Sequence, residues 1–380
     1  TEIIYYICKN SPIMMLAKFS VKNYRGFSER IEWDLSTPNN YEFNTEVIKD
    51  GIIKNGIIYG PNGSGKTNFG LALFDIVNHL GQKWRKLDYY ANFVYVGKLN
   101  VPVEFEYVFK DADRIINYCY SKNNIGQLLT EKLSVDNTLV FERTARTFNI
   151  DTNEFPMENT TKRNLKDNAN NVSIINFLLT SYPLAKNHYL LTVLQFVDSM
   201  LWFRCLDTRE FIGLDLAPTN LDEYIIQNNL VKDFSEFLHQ VSEQKYQFAN
   251  PRPNDKLLVC KIGGRDVIFD KIISTGTNAL MLLYFWIQKM RSASFVFIDE
   301  FDAFYHFKLA FEVCKRLFAL DCQVFTSSHN TYLMTNDLLR PDCNFIVNNN
   351  KIKPLSACTQ KELRFGHNIE KLFRGNAFQL

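Results

Sequence analysis

No run of about 18 apolar residues occurs in the 380-residue chain, so no transmembrane helix is expected. Eight cysteines are present, Cys8, Cys119, Cys205, Cys260, Cys314, Cys322, Cys343 and Cys358, yet none forms a C-x-x-C pair. A zinc site of the usual spacing is therefore not suggested. Several cysteines sit in apolar runs, as Cys260 does within 257–262, and they are expected as reduced core residues of a cytosolic protein. An excess of charge of one sign is missing too. With 43 Lys and Arg against 41 Asp and Glu the net charge is +2, so composition announces no nucleic-acid partner, while a local basic patch stays open. The start, residues 1–7, is apolar but lacks a basic leading region and a small-residue cleavage site, which argues against a signal peptide. Residues 1–13, ahead of Met14 and Met15, read as an upstream extension or a tag remnant. Repeats, low-complexity segments and a long heptad tract are likewise lacking.

What is present is enough apolar residue for a large core, 46% of the chain. The 32 Phe and 18 Tyr fit an aromatic core better than a base-stacking surface. The pattern predicts strands over 16–23, 30–35 and 56–59, then a helix over 67–80 with Phe69, Leu73, Ile76, Val77 and Leu80 on one face. Val103, Phe105, Tyr107 and Phe109 alternate with Glu104 and Glu106, the mark of a half-buried antiparallel strand. Residues 115–121, 128–133 and 138–143 continue this β character. The polar stretch 151–171 has no period and is expected as a loop. Helices are expected over 172–203 and 221–242, with a proline-marked linker at 250–255. Then strands at 257–262 and 267–269, a helix at 277–290, a strand at 295–298, a helix at 305–320 and a strand at 323–326 alternate. Such alternation is the α/β signal and implies parallel strands late in the chain.

Four features carry chemistry. Gly60-Pro61-Asn62-Gly63-Ser64-Gly65-Lys66-Thr67 fits G-x-x-x-x-G-K-[ST] between an apolar strand and a helix. Its glycines let backbone N–H groups turn toward phosphate oxygens, and the helix that follows, with Asn68 in its first turn, adds its positive end. Lys66 is placed to reach β- and γ-phosphates and Thr67 to hold Mg²⁺. From average usage, a chain of this length shows the pattern by accident in roughly one case in a hundred. Second, the apolar strand 295–298 ends in Asp299 and Glu300, and strand ends of α/β folds face ligands. Asp299 suits Mg²⁺ and Glu300 the polarising of a water. Third, Ser274-Thr275-Gly276-Thr277 opens a helix and offers a hydroxyl, free N–H groups and a close approach to an anion, though an ordinary cap has the same look. Fourth, Thr326-Ser327-Ser328-His329-Asn330 puts a histidine just past a strand, within reach of a γ-phosphate.

In this order, the four features resemble the layout of ABC-type ATPases of the SMC, RecF and OLD group. The likeness is strongest to the single-chain AAA-family ATPases of bacterial abortive-infection and other anti-phage systems. Lys22-Asn23-Tyr24-Arg25-Gly26-Phe27 resembles the opening strand of that group, 274–280 its Ser-x-Gly signature, and 297–306 its acidic strand and loop. Residues 363–374 resemble a C-terminal motif of the defence subgroup. The resemblance spans roughly 15–110 and 255–380. It implies an ATPase head with a phosphate-loop core sheet, an antiparallel β-subdomain and a mainly helical insert. The implied division is an N-terminal extension (1–14), an N-lobe (15–110), a β-subdomain continuation with the insert (111–254) and a C-lobe (255–380).

The resemblance further implies ATP and Mg²⁺ as ligands, with Gly60, Asn62, Gly63, Ser64, Gly65, Lys66, Thr67 and Asn68 around the nucleotide. Thr67 and Asp299 would hold the metal. Glu300 would be the catalytic carboxylate, His329 the γ-phosphate sensor and Lys66 a charge on the transferred group. Ser274 and Gly276 would act on the ATP of a second copy, which implies a homodimer or higher homo-oligomer with composite sites. The implied role is that of a cytoplasmic sensor or scaffold controlling a separate effector, a nuclease or toxin, without a membrane partner. The other candidate is a DNA-repair or chromosome ATPase, for which the modest basic clusters are Lys83, Arg85, Lys86 and Lys162, Arg163, Lys166. A third is a nucleotide-gated interaction module with negligible turnover, against which the intact Glu300 argues. Three departures stand out: no Gln suits the usual Mg²⁺-contacting loop before Val103, Gln82 falling too early; Thr275 stands where Gly is frequent; and the long coiled coil is missing.

Overall fold

The computed structural model describes residues 14–81, 87–90, 92–168, 172–204, 211–213, 220–252, 254–348 and 350–379. The expected extension at 1–13, Gln82, the Lys83–Arg85–Lys86 cluster, Cys8 and Cys205 lie outside these residues.

Two seven-stranded sheets organise the chain. The first half supplies β1 (Met15–Lys22), β2 (Ile31–Asp34), the short β3 (Ile48–Lys49) and β4 (Ile52–Ile53), and β5 (Asn55–Tyr59). Helix α1 (Lys66–Leu73) leads to β6 (Val103–Asp111), β7 (Arg114–Lys122), β8 (Leu128–Val135), β9 (Thr138–Arg143) and β10 (Phe148–Ile150). The first sheet, in the order β10-β9-β8-β7-β6-β1-β2, is antiparallel throughout. In β6 the alternation is realised as expected. Val103, Phe105, Tyr107 and Phe109 are buried, while Glu104 and Glu106 face outward and pair with Arg30.

The second half runs α2 (Asn159–Asp167), α3 (Ile174–Ser181), α4 (Tyr189–Asp198), β11 (Leu201–Arg204), β12 (Phe211–Gly213), α5 (Leu221–Gln227) and α6 (Val231–Ser242). It continues with β13 (Val259–Ile262), β14 (Arg265–Ile268), α7 (Thr275–Met290), β15 (Phe295–Asp299), α8 (Phe307–Phe318), β16 (Gln323–Ser328), β17 (Asn344–Asn348), β18 (Lys351–Pro354) and α9 (Ile369–Arg374). The second sheet has the order β12-β11-β15-β16-β5-β17-β18. Its five inner strands are parallel and its two edge strands antiparallel. The fold is thus the expected α/β type, a parallel core sheet beside an antiparallel β-subdomain.

The phosphate-loop helix α1 lies between the sheets. A side chain at Gly70 would meet Phe297 Cε1 at 2.9 Å and Trp202 Nε1 at 3.0 Å, so only glycine lets the helix sit this close to β15 and β11. From the other sheet, Tyr107 donates its hydroxyl to the α1 carbonyls of Ala72 (3.2 Å) and Leu73 (3.1 Å). Phe69 packs edge-on against Phe19 and Trp33. Gln323 ties the sheets directly: its Oε1 accepts from Leu16 N–H at 2.7 Å and its Nε2 donates to the Leu16 and Ile53 carbonyls.

Several expected elements are corrected. The single helix over 172–203 is two helices and a core strand. Pro183 disfavours helical backbone at Tyr182, and α3 ends at Ser181. The run Leu201-Trp202-Phe203 then enters the parallel sheet beside β15. The polar stretch 151–171 contains α2, whose one buried side chain is Leu165; a helix with so little apolar face leaves no period to read. The helix over 221–242 is divided at Asn228–Leu230, where Asn229 takes a φ of 56°. Helix α1 ends at Leu73, and a wider π-turn follows at Val77–Gly81.

Candidate nucleotide site

Parallel pairing brings the C-terminal ends of four strands to one edge. Arg204 of β11 is level with Asp299 of β15, Ile298 with Thr326 of β16, and Ser328 with Tyr59 of β5. The strands that carry the β5, β15 and β16 ends are fully buried, and the crevice beyond such strand ends is where α/β folds bind ligands.

The loop from β5 to α1 is shaped by its glycines. A Cβ on Gly60 would fall 2.4 Å from Ser64 Oγ and 2.7 Å from the Val347 carbonyl, so no other residue fits. Gly63 (φ 76°) and Gly65 (φ 98°) take left-handed backbone that glycine tolerates. Gly65 also rests on the Phe27 ring, and Gly26 faces Asn68 Nδ2. The opening motif 22–27 therefore buttresses the loop. Ser64 Oγ is buried and has no hydrogen-bond partner among the described residues. Lys66 Nζ folds back to donate to the carbonyls of Gly60 (2.9 Å) and Pro61 (3.2 Å). Burial holds its amine below the ordinary lysine range, against the pull of Asp299 and Glu300. An unpartnered hydroxyl and a lysine curled across the loop's own carbonyls, at the start of a helix, fit a phosphate cradle.

The acidic strand meets this loop. Thr67 Oγ1 donates to Asp299 Oδ2 at 2.7 Å, and Ser327 Oγ donates to Asp299 Oδ1, also at 2.7 Å. Ser327 Oγ in turn accepts the Glu300 N–H at 2.8 Å. Asp299 is fully buried, and that burial pushes its carboxyl above the usual range despite Ser327, Thr67 and Arg204. Glu300 has a φ of 50°, unusual for a side chain of its kind. Strain of this sort persists where surrounding contacts enforce it, and functional sites are common places for it. His329 follows β16 within electrostatic reach of Lys66, Glu300, Asp302 and Asp299; burial, then Lys66, lowers its pKa below 6.5. Asp302 accepts from Ser328 Oγ at 2.7 Å.

Residues 60–67, Asp299, Glu300 and His329 thus come together at one sheet edge. Ser274 and Gly276 do not join them. Ser274 caps α7, accepting the Thr277 N–H at 3.2 Å, and a Cβ on Gly276 would lie 3.3 Å from the Phe304 carbonyl. Among the described residues, neither makes a hydrogen bond to residues 60–68. Three participants escaped the sequence. Ser327 was inside a noted segment without a role. Phe27 carries no local signal of its contact with Gly65. Arg204 ends a strand that reads as helix; its guanidinium lies 3.5 Å from Asp299 Oδ2 through Nε and 3.6 Å from Glu300 Oε2 through Nη2. The parallel register of β11 with β15 would have located it, had the strand been legible.

The residues present fit a divalent ion held jointly with a nucleotide, since Mg²⁺ takes one or two protein oxygens and the rest from phosphates and water. Thr67 Oγ1 and Asp299 Oδ2 are the oxygens in place.

Among the described residues, no helix is long and apolar enough to cross a membrane. No curated protein matches the chain. Among solved structures, the chain is similar to an SMC head domain from Thermotoga maritima at 15% identity, covering 89% of this chain and 98% of that one, with a TM-score of 0.42. It is also similar to the head domain with an extended coiled coil bound to the C-terminal domain of ScpA, derived from Pyrococcus furiosus. That match has 14% identity, coverage of 90% and 96%, and a TM-score of 0.43. The family described as "AAA domain, putative AbiEii toxin, Type IV TA system" matches residues 57–335, a span that holds the phosphate loop, Ser274, the acidic pair and His329, and the chain belongs to this AAA-domain family.

Proposed function

We propose that the chain binds ATP with Mg²⁺ in the crevice at 60–67 and hydrolyses it, each site being completed by a second copy. The observation that carries this reading is the 2.7 Å bond from Thr67 Oγ1 to Asp299 Oδ2. It joins the helix that follows the phosphate loop to the acidic strand 232 residues away. Gly60, Asn62, Gly63, Ser64, Gly65 and Asn68 surround the phosphates. Lys66 leaves its loop carbonyls and donates to β- and γ-phosphate oxygens. Bound Mg²⁺ would offset phosphate charge. Thr67 and Asp299 hold it. Glu300, adjacent to Asp299 and anchored through its N–H on Ser327, orients and deprotonates the attacking water. His329, just past the end of β16, donates an N–H to the γ-phosphate.

Among the described residues, Ser274 and Gly276 make no hydrogen bond to the loop of their own chain, which supports their acting on the ATP of a partner copy. A homodimer or higher homo-oligomer follows. The family description, which names a toxin of a type IV toxin–antitoxin system, supports a defence role; a cytoplasmic location and control of a separate effector are part of the reading proposed for this chain.

Titration of Mg²⁺-ATP into the wild-type chain and into Lys66→Ala by calorimetry tests the site. Saturable binding by the wild type and none by Lys66→Ala is expected. Equal binding by both would remove the phosphate-loop assignment.

A further inference from the structure

Arg204 is the feature the proposed hydrolysis does not use. It closes β11, the strand next to the acidic strand, and the parallel register sets it level with Asp299. Its Nε stands 3.5 Å from Asp299 Oδ2, the same oxygen that accepts the Thr67 hydroxyl, and its Nη2 stands 3.6 Å from Glu300 Oε2. These distances give charge pairing without strong hydrogen bonds, and among the described residues Nε makes no hydrogen bond. Asp299 is fully buried and Glu300 sits beside it on strained backbone. Two neighbouring carboxylates at a desolvated strand end need a countercharge. Lys66 does not bond to them, because its ammonium is committed to the Gly60 and Pro61 carbonyls.

We infer that Arg204 is an internal counterion for the acidic pair in the nucleotide-free chain, held at the oxygen a divalent ion would take and competing with that ion for it. This rests on the reading of Asp299 as a metal ligand. Arg204 is accordingly a positioning residue. It offsets the charge of Asp299 and Glu300 without a metal and disfavours entry of a bare cation, so the metal is admitted with the nucleotide. The loose ion pair suits this task, since a bidentate, hydrogen-bonded arginine would be far harder to displace.

The test uses Mn²⁺ alone, with no nucleotide, on the full chain, read by the electron paramagnetic resonance of free ion. Arg204→Met and Arg204→Gln should each bind Mn²⁺ about tenfold or more tightly than the wild type, because the competing charge is gone. Arg204→Lys should stay near wild type. Circular dichroism identifies which variants are folded, and either of the two neutral variants suffices. A structural role for Arg204 predicts the reverse, weaker Mn²⁺ binding once the pair is disordered. Unchanged or weakened binding in a folded neutral variant overturns the inference. Adding Asp299→Asn separates the two layers. If it cancels the gain, both stand; if the gain survives it, Asp299 is not the ligand and the counterion role falls with that reading. If Asp299→Asn weakens Mn²⁺ binding in the wild type but neutral Arg204 variants bind no tighter, only the Arg204 inference fails.

Discussion

Replacing Gly65 by Ala should cost more stability than replacing Gly63, although both glycines lie in the same loop. Gly63 has a φ of 76° and Gly65 a φ of 98°, so each substitution places an L side chain in left-handed backbone, at roughly 1–2 kcal/mol. Around Gly63 a new Cβ meets nothing within 4 Å, whereas at Gly65 it would lie 2.7 Å from Phe27 Cε1 and 2.8 Å from Cζ. Phe27 is 2% exposed and has no free direction, so moving it adds about 1–3 kcal/mol of overpacking. The gain from a less flexible unfolded chain is common to both variants and cancels in the comparison. Before that common gain is subtracted, Gly63→Ala is expected to lose about 1–2 kcal/mol and Gly65→Ala about 2–5 kcal/mol. Urea unfolding followed by tryptophan fluorescence measures both. A cycle with Phe27→Ala isolates the clash: in that background Gly65→Ala should cost only its backbone part, giving a coupling of about 1–3 kcal/mol. Equal losses for the two glycine variants, or no coupling to Phe27, would refute the argument that the opening motif buttresses the loop.

Two further outcomes follow from buried charges. Glu131 accepts from Arg143 (2.8 Å), Tyr118 (2.7 Å), Ser173 (2.8 Å) and the Ile174 N–H (2.8 Å), and both charged side chains are fully buried. Glu131→Gln leaves a buried guanidinium uncompensated and should cost about 3–5 kcal/mol in urea unfolding. Burial, then Lys122 and Arg143, hold the His79 pKa well below 6.5. The folded state therefore binds fewer protons than the unfolded one below that pH, and stability falls as pH drops below 6.5. Removing this group in His79→Gln should make that fall shallower, by up to about 1.4 kcal/mol per pH unit, in unfolding curves taken across the window.

The site was legible where its chemistry is written in consecutive residues. The phosphate loop needs glycines, Lys66 and Thr67 at fixed spacing, and the acidic pair must end a buried strand, so both stand out. The β-subdomain was legible because one solvated face forces the alternation seen from Val103 to Phe109. Strand β11 was not, because three successive residues buried on both faces, Leu201, Trp202 and Phe203, have no period, and the preceding helices lent them a helical look. Arg204 disappeared with that strand. The end of α1 was hidden for a different reason. Ile76, Val77 and Leu80 are buried and keep the helical stripe going, but the helix widens after Leu73. There Asp75, wholly buried, is engaged by Tyr89, Tyr120 and Lys122 from distant segments. Such long-range partners leave no trace in local spacing.

Phosphate release from radiolabelled ATP by wild-type chain and Glu300→Gln, with sedimentation of both in the presence of Mg²⁺-ATP, addresses catalysis and the composite site together. Wild type should release phosphate, while Glu300→Gln should slow by about 10²–10⁴-fold and accumulate as a nucleotide-bound dimer or larger assembly. Release by Glu300→Gln at the wild-type rate, with no change in sedimentation, would contradict the assignment of Glu300 and of a site closed by two copies.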